Sequence, residues 1–161
     1  MKRILIIVLL LSATGFVQIH RLPNVRIEND KGQQVNLADV VEEGKPVIYV
    51  FWGAICHSCN TGLNALNDEF DTWRDEFDFQ VVAICTDDAR GSSKAKSKAK
   101  ANDWPFTLLF DKNQDLKRAM NVIAVPYFIV TDNEGNIVYS RAGYIPGTEQ
   151  EIYESIKKSY K

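Results

Sequence analysis

Apolar residues fall along this chain in two rhythms: unbroken runs, and sets spaced three or four apart. Val47-Ile48-Tyr49-Val50-Phe51-Trp52 is an unbroken run introduced by Gly44-Lys45-Pro46. A β-branched and aromatic stretch without polar alternation predicts a strand buried on both faces. Phe79 to Cys85 repeats that pattern and stops at Thr86-Asp87-Asp88. Phe106 to Phe110, Tyr127 to Val130 and Ile137 to Tyr139 predict shorter strands, the last two joined by an Asp132-Asn133-Glu134-Gly135 turn. Leu63, Leu66, Phe70 and Trp73 follow helical spacing and predict an amphipathic helix over about residues 56–73. The lysine-rich segment up to Asn102 predicts a second helix, and Asp115 to Met120 one or two further turns. Ile152, Ile156 and Tyr160 form the stripe of a last helix over about residues 148–159. At the front, Val25-Arg26-Ile27 and Val35-Asn36-Leu37 flank an Asp30-Lys31-Gly32 turn and predict a hairpin.

The order is strand, helix, strand, helix, strand, then a hairpin and a helix. Alternation of strands and helices demands parallel crossovers, and a closing hairpin adds antiparallel strands to the same sheet. The expectation is one α/β domain over residues 21–161 with a mixed sheet. Residues 1–20 stand apart. Lys2 and Arg3 precede the apolar run Ile4 to Leu11, and Ser12, Ala13 and Gly15 follow. Charged, apolar and small residues in that order read as a secretory signal, or as an N-terminal anchor tethering the chain through residues 4–19. A net charge of −2 argues against a nucleic-acid partner. Lys94, Lys96, Lys98 and Lys100 alternate with small residues, which spreads their charge around a helix as a solvated face.

The chemistry lies in three cysteines. Cys56 and Cys59 form a Cys-His-Ser-Cys pair, and Cys85 lies far along the chain. Zinc uses such spacing but needs two more ligands, and only His20, His57 and Cys85 offer soft donors, so no metal is expected. A structural bridge closing so small a loop removes little denatured-state entropy. Position favours chemistry instead. The pair follows a buried strand and opens a helix, whose free N–H groups and dipole stabilise a thiolate. Cys56, coming first, is the expected attacking thiol, and Cys59 the resolving one. His57, if protonated, would favour the Cys56 thiolate, or it is a bystander on the loop. Ser58 supplies a hydroxyl and a backbone N–H. Both residues predict a Cys56 pKa below about 8.5 and a potential above the roughly −270 mV of thioredoxin. Cys85 reads as a buried packing residue.

Phe51-Trp52-Gly53-Ala54-Ile55-Cys56-His57-Ser58-Cys59 resembles the Phe-Trp-Ala-x-Trp-Cys-x-x-Cys signature of thioredoxin-fold proteins. Over residues 22–160 the chain is most similar to the TlpA/ResA group of exported thiol-disulfide oxidoreductases. The resemblance implies a three-layer thioredoxin-like α/β fold, its mixed central sheet flanked by helices and extended by the N-terminal β-hairpin. It implies that Trp52 supports the dithiol and that Pro126 is a cis-proline facing it. The Val125 backbone would then pair with an extended client segment. Clients would be proteins with disulfides or dithiols, no organic cofactor would be needed, and a membrane or envelope redox partner would supply electrons. Several positions depart from the pattern. Ile55 replaces a tryptophan, Ser58 a proline, and Val50 the buried aspartate of thioredoxin. Gly62 stands where many ResA-like proteins carry glutamate, so no acid is expected to take the Cys59 proton. Two rivals remain: a peroxiredoxin-type thiol peroxidase, though no threonine and proline lead up to Cys56, and a non-catalytic binding module of the same fold.

Overall fold

The computed structural model describes residues 21–160; the segment read as a signal or anchor lies outside the described residues. Seven strands form one sheet: β1 (Arg26–Asn29), β2 (Gln34–Asn36), β3 (Val47–Trp52), β4 (Gln80–Cys85), β5 (Thr107–Phe110), β6 (Tyr127–Thr131) and β7 (Ile137–Ala142). Their spatial order is β2-β1-β5-β4-β3-β6-β7. The pairs β3–β4 and β4–β5 are parallel; β3–β6, β6–β7, β1–β2 and β1–β5 are antiparallel. The helices are α1 (His57–Glu76), α2 (Ala89–Ala101), α3 (Asp115–Ala119) and α4 (Thr148–Ser159). None of the described helices is long and apolar enough to cross a membrane.

The unalternated run of β3 is explained by a core on each face. Ile48, Val50 and Trp52 point into one cluster with Leu63, Leu66 and Trp73 of α1, Ala95 and Ala99 of α2, and Ile152 and Ile156 of α4. Val47, Tyr49 and Phe51 point the other way, onto Leu116 of α3 and Leu37 of a 3-10 turn. Strand side chains alternate between faces, so two helical layers make every residue of β3 a core residue. On α2 the small residues Ser92, Ala95 and Ala99 face inward. The lysines ring the outside, with Lys96 Nζ 4.9 Å above the Phe110 ring.

The predicted elements shift mostly at their ends. Cys56 caps α1 rather than opening it, and the helix runs on to Glu76. Strand β7 continues to Ala142 because its antiparallel ladder with β6 holds Ser140 and Arg141, whatever their polarity. Tyr160 leaves the α4 stripe: it is exposed, its hydroxyl donating to the Asp78 carbonyl. The front hairpin is no appendage, since β1 pairs with β5 and completes the sheet. Gly32 takes a positive φ of 80° in its turn, where a side chain would be strained.

Helix α3 is fastened by one buried carboxylate. Asp111 Oδ1 accepts from Leu116 N at 3.2 Å, and Oδ2 from Lys117 N at 2.8 Å. Asp111→Ala leaves both N–H groups unpaired, and a loss of about 2 kcal/mol is expected in urea unfolding.

Candidate active site

Interior strand β3 delivers the chain to the C-terminal end of the parallel strands, and a short loop turns it into α1. Cys56 N donates to Gly53 O at 3.1 Å, closing that loop. Cys56 adopts an extended conformation as the α1 N-cap, and its sulfur accepts from Cys59 N at 3.2 Å. A cysteine at this position sits against the unpaired N–H groups of the first turn. Cys56 and Cys59 form a disulfide with 5.2 Å between their Cα atoms.

The two sulfurs differ in access. Cys59 is fully buried on the inner face of the first turn of α1, Cys56 is half-buried, and His57 and Ser58 are exposed between them. Ser58 Oγ lies 3.6 Å from Cys56 Sγ. The Val125 carbonyl approaches Cys56 Sγ to 3.8 Å, and the Val125–Pro126 bond is cis. In the disulfide that sulfur bears no hydrogen, so the approach is a packing contact; in the dithiol it lets S–H donate. The structure thus brings Val125 and Pro126 to the dithiol although some 70 residues separate them. Trp52 is fully buried in the cluster that holds Cys59, edge-on to Trp104 with ring centres 5.2 Å apart. Among the described residues its indole N–H has no hydrogen-bond partner, whereas Trp104 Nε1 donates to Asn64 Oδ1 at 2.8 Å.

Gly62 explains one departure from the related signature. A Cβ there would stand 2.9 Å from Phe128 Cζ and 3.0 Å from Tyr144 Cδ2, so aromatic rings occupy the place of a longer side chain. Tyr144 donates to Glu149 Oε2 at 3.0 Å. Burial first, and then Glu149, raises the pKa of its hydroxyl. Nothing in the sequence spacing linked Tyr144 to Gly62.

The sequence expectation concerns an acid for Cys59; it does not single out the carboxylate that the structure places on the Cys56 side. Asp87, directly beyond β4, accepts from Ala54 N at 2.8 Å in the dithiol loop. Parallel register was the available signal: Trp52 pairs with Cys85, so the residues after each strand emerge at one edge. Cys85 itself is buried as expected, and burial pushes its thiol up to about 12. A thiol that stays protonated near neutrality is a poor nucleophile. Iodoacetamide at neutral pH is therefore expected to label Cys56 in the reduced, folded protein and to leave Cys85 unlabelled until unfolding. Mass mapping of the labelled peptides checks this.

A dithiol at a helix start, facing a cis-proline at the end of the central strands of a mixed sheet, defines a thioredoxin-like thiol-disulfide oxidoreductase. The chain belongs to the AhpC/TSA family, whose model matches residues 19–140. The thiol-disulfide oxidoreductase ResA of Bacillus thuringiensis subsp. konkukian is 22% identical over 169 residues, covering 97% of this chain and 94% of ResA. The thiol:disulfide interchange protein DsbE of Escherichia coli K12 is 32% identical over 124 residues, covering 76% of this chain and 63% of DsbE. The solution structure of a thioredoxin-like protein from Porphyromonas gingivalis superposes with a TM-score of 0.77 at 33% identity, covering 86% of this chain and 90% of that one.

Proposed function

We propose that this protein reduces disulfides of exported client proteins, with Cys56 attacking and Cys59 resolving. The observation that carries the reading is the unequal access of the two sulfurs. Cys56 is half-buried at the helix cap, and Cys59 is fully buried behind it. In the reduced protein the Cys56 thiolate attacks one sulfur of a client disulfide, and the client's other sulfur leaves as a thiolate. Cys59, as thiolate, then attacks Cys56 Sγ; the client sulfur bound to Cys56 leaves as a thiolate, and the Cys56–Cys59 disulfide remains. Two electrons pass to the client, and a dithiol partner at the membrane or in the envelope returns them.

Val125 and Pro126 form the wall that an extended client segment would follow, Trp52 supports the loop from below, and His57 and Ser58 tune the Cys56 thiolate. Residues 1–20 serve as export signal or tether, leaving residues 21–161 as the working domain. Lys2 and Arg3 ahead of the apolar run Ile4 to Leu11 support this placement.

The test is insulin reduction by dithiothreitol. The protein is expected to shorten the lag before the freed chains precipitate, and Cys56→Ser to remove that effect. A folded protein without acceleration would make it a binding module, and peroxide consumption dependent on Cys56 would make it a peroxidase.

A further inference from the structure

Asp87 has no place in the exchange just described, yet its side chain reaches from just past β4 to the loop presenting Cys56. Its Oδ2 accepts from Ala54 N at 2.8 Å. The loop's other fastening is internal, from Cys56 N to Gly53 O. The Asp87 side chain is wedged between two glycines. A Cβ on Gly53 would meet Asp87 Oδ1 at 3.0 Å, and one on Gly91 would meet Asp87 Cβ at 2.6 Å. Neither glycine has a positive φ, so space around Asp87, not backbone freedom, accounts for both. The same point above Gly53 lies 4.0 Å from Cys56 Cβ, so carboxylate and nucleophile flank one small volume.

We propose that Asp87 is a positioning residue for the dithiol: it holds the Gly53–Cys56 loop in place, and its negative charge limits how much of Cys56 is thiolate. This rests on the reading of Cys56 as the nucleophile. The carboxylate opposes the α1 N-terminus, which favours the thiolate. The other charged or titratable groups around it are few. Cys85 ends β4 two residues before Asp87 and is kept as a thiol by burial. Lys94 and Asp88 line the same open cavity of about 400 Å³ as Asp87, Ala54 and Ile55. Asp88 is occupied capping α2 through Arg90 N and Gly91 N. His57 is exposed on the α1 side.

One carboxylate with two effects can be separated by two substitutions. Asp87→Asn keeps an oxygen for Ala54 N–H and removes the charge; Asp87→Ala removes both. The readout is the pH midpoint of Cys56 ionisation in the reduced protein, followed by thiolate absorbance and assigned by alkylation. Both variants are expected to titrate about half a unit lower than the parent, giving roughly threefold more thiolate below the midpoint. In insulin reduction Asp87→Ala is expected to lose about tenfold in turnover, with Asp87→Asn recovering several-fold of that loss. Unchanged midpoints overturn the electrostatic role, and parental turnover in Asp87→Ala overturns the loop role. Should Asp87→Ala fail to fold, the Asp87→Asn midpoint decides. A parent without reductase activity but with shifted midpoints in the variants would refute the reductase reading and leave this inference standing.

Discussion

Cys59→Ala is expected to accumulate covalent complexes with client proteins, whereas Cys56→Ala accumulates none. The reason is the order in which the sulfurs can be reached. A client disulfide meets the half-buried Cys56 first, because Cys59 is fully buried on the inner face of α1. The Cys56 thiolate is formed against the helix N-terminus, where Cys59 N already donates to its sulfur at 3.2 Å. Substituting Ala at 59 leaves that backbone donor in place, so attack proceeds and the mixed disulfide forms. Its release needs a second thiol at Cys56 Sγ. The remaining candidate, Cys85, stays protonated, its thiol pushed by burial up to about 12. The complexes should therefore survive non-reducing electrophoresis and vanish with dithiothreitol. Equal trapping by both variants, or trapping by Cys56→Ala alone, would reverse the assigned roles.

Much of this arrangement was legible because strong local patterns determine it. Val47 to Trp52 is apolar at every position and Val81 to Cys85 likewise after Gln80, and runs of that length fit strands covered on both faces. Once both are strands of one parallel pair, the dithiol after the first must sit at the C-terminal end of that pair. The resemblance added Val125 and Pro126, which no periodicity connects to Cys56. Other features depend on contacts between distant segments, and those leave weaker marks. Asp87 looks like one of two turn acids after a strand; its role follows from Trp52 lying opposite Cys85. The closing of the sheet by β1 on β5 joins segments some 80 residues apart, and a hairpin read locally gives no partner for its outer edge.

Gly62 shows how a departure that looks like a lost function can be a packing choice. Related proteins were expected to carry glutamate here, so Gly62→Glu would seem a simple restoration. The structure argues the opposite result. The new Cβ would stand 2.9 Å from Phe128 Cζ and 3.0 Å from Tyr144 Cδ2, distances that force the rings to move. Overpacking of that kind costs about 1–3 kcal/mol. The carboxylate adds to it, because Gly62 is buried on α1 and an ion without a partner there is strongly disfavoured. Against these stands only the helix preference for glutamate over glycine, under about 1 kcal/mol. Gly62→Glu is therefore expected to lower the stability by about 3–5 kcal/mol and the melting temperature by roughly 10 °C. Tyr144 is the neighbour that can be removed without cutting into β6. The double variant Gly62→Glu with Tyr144→Ala is expected to be more stable than the two single losses predict when summed, since the smaller side chain vacates the contested space. Thermal melts of the four proteins measure that coupling. A Gly62→Glu protein melting with the parent would mean that Phe128 and Tyr144 yield freely and that their packing does not exclude a side chain at this position.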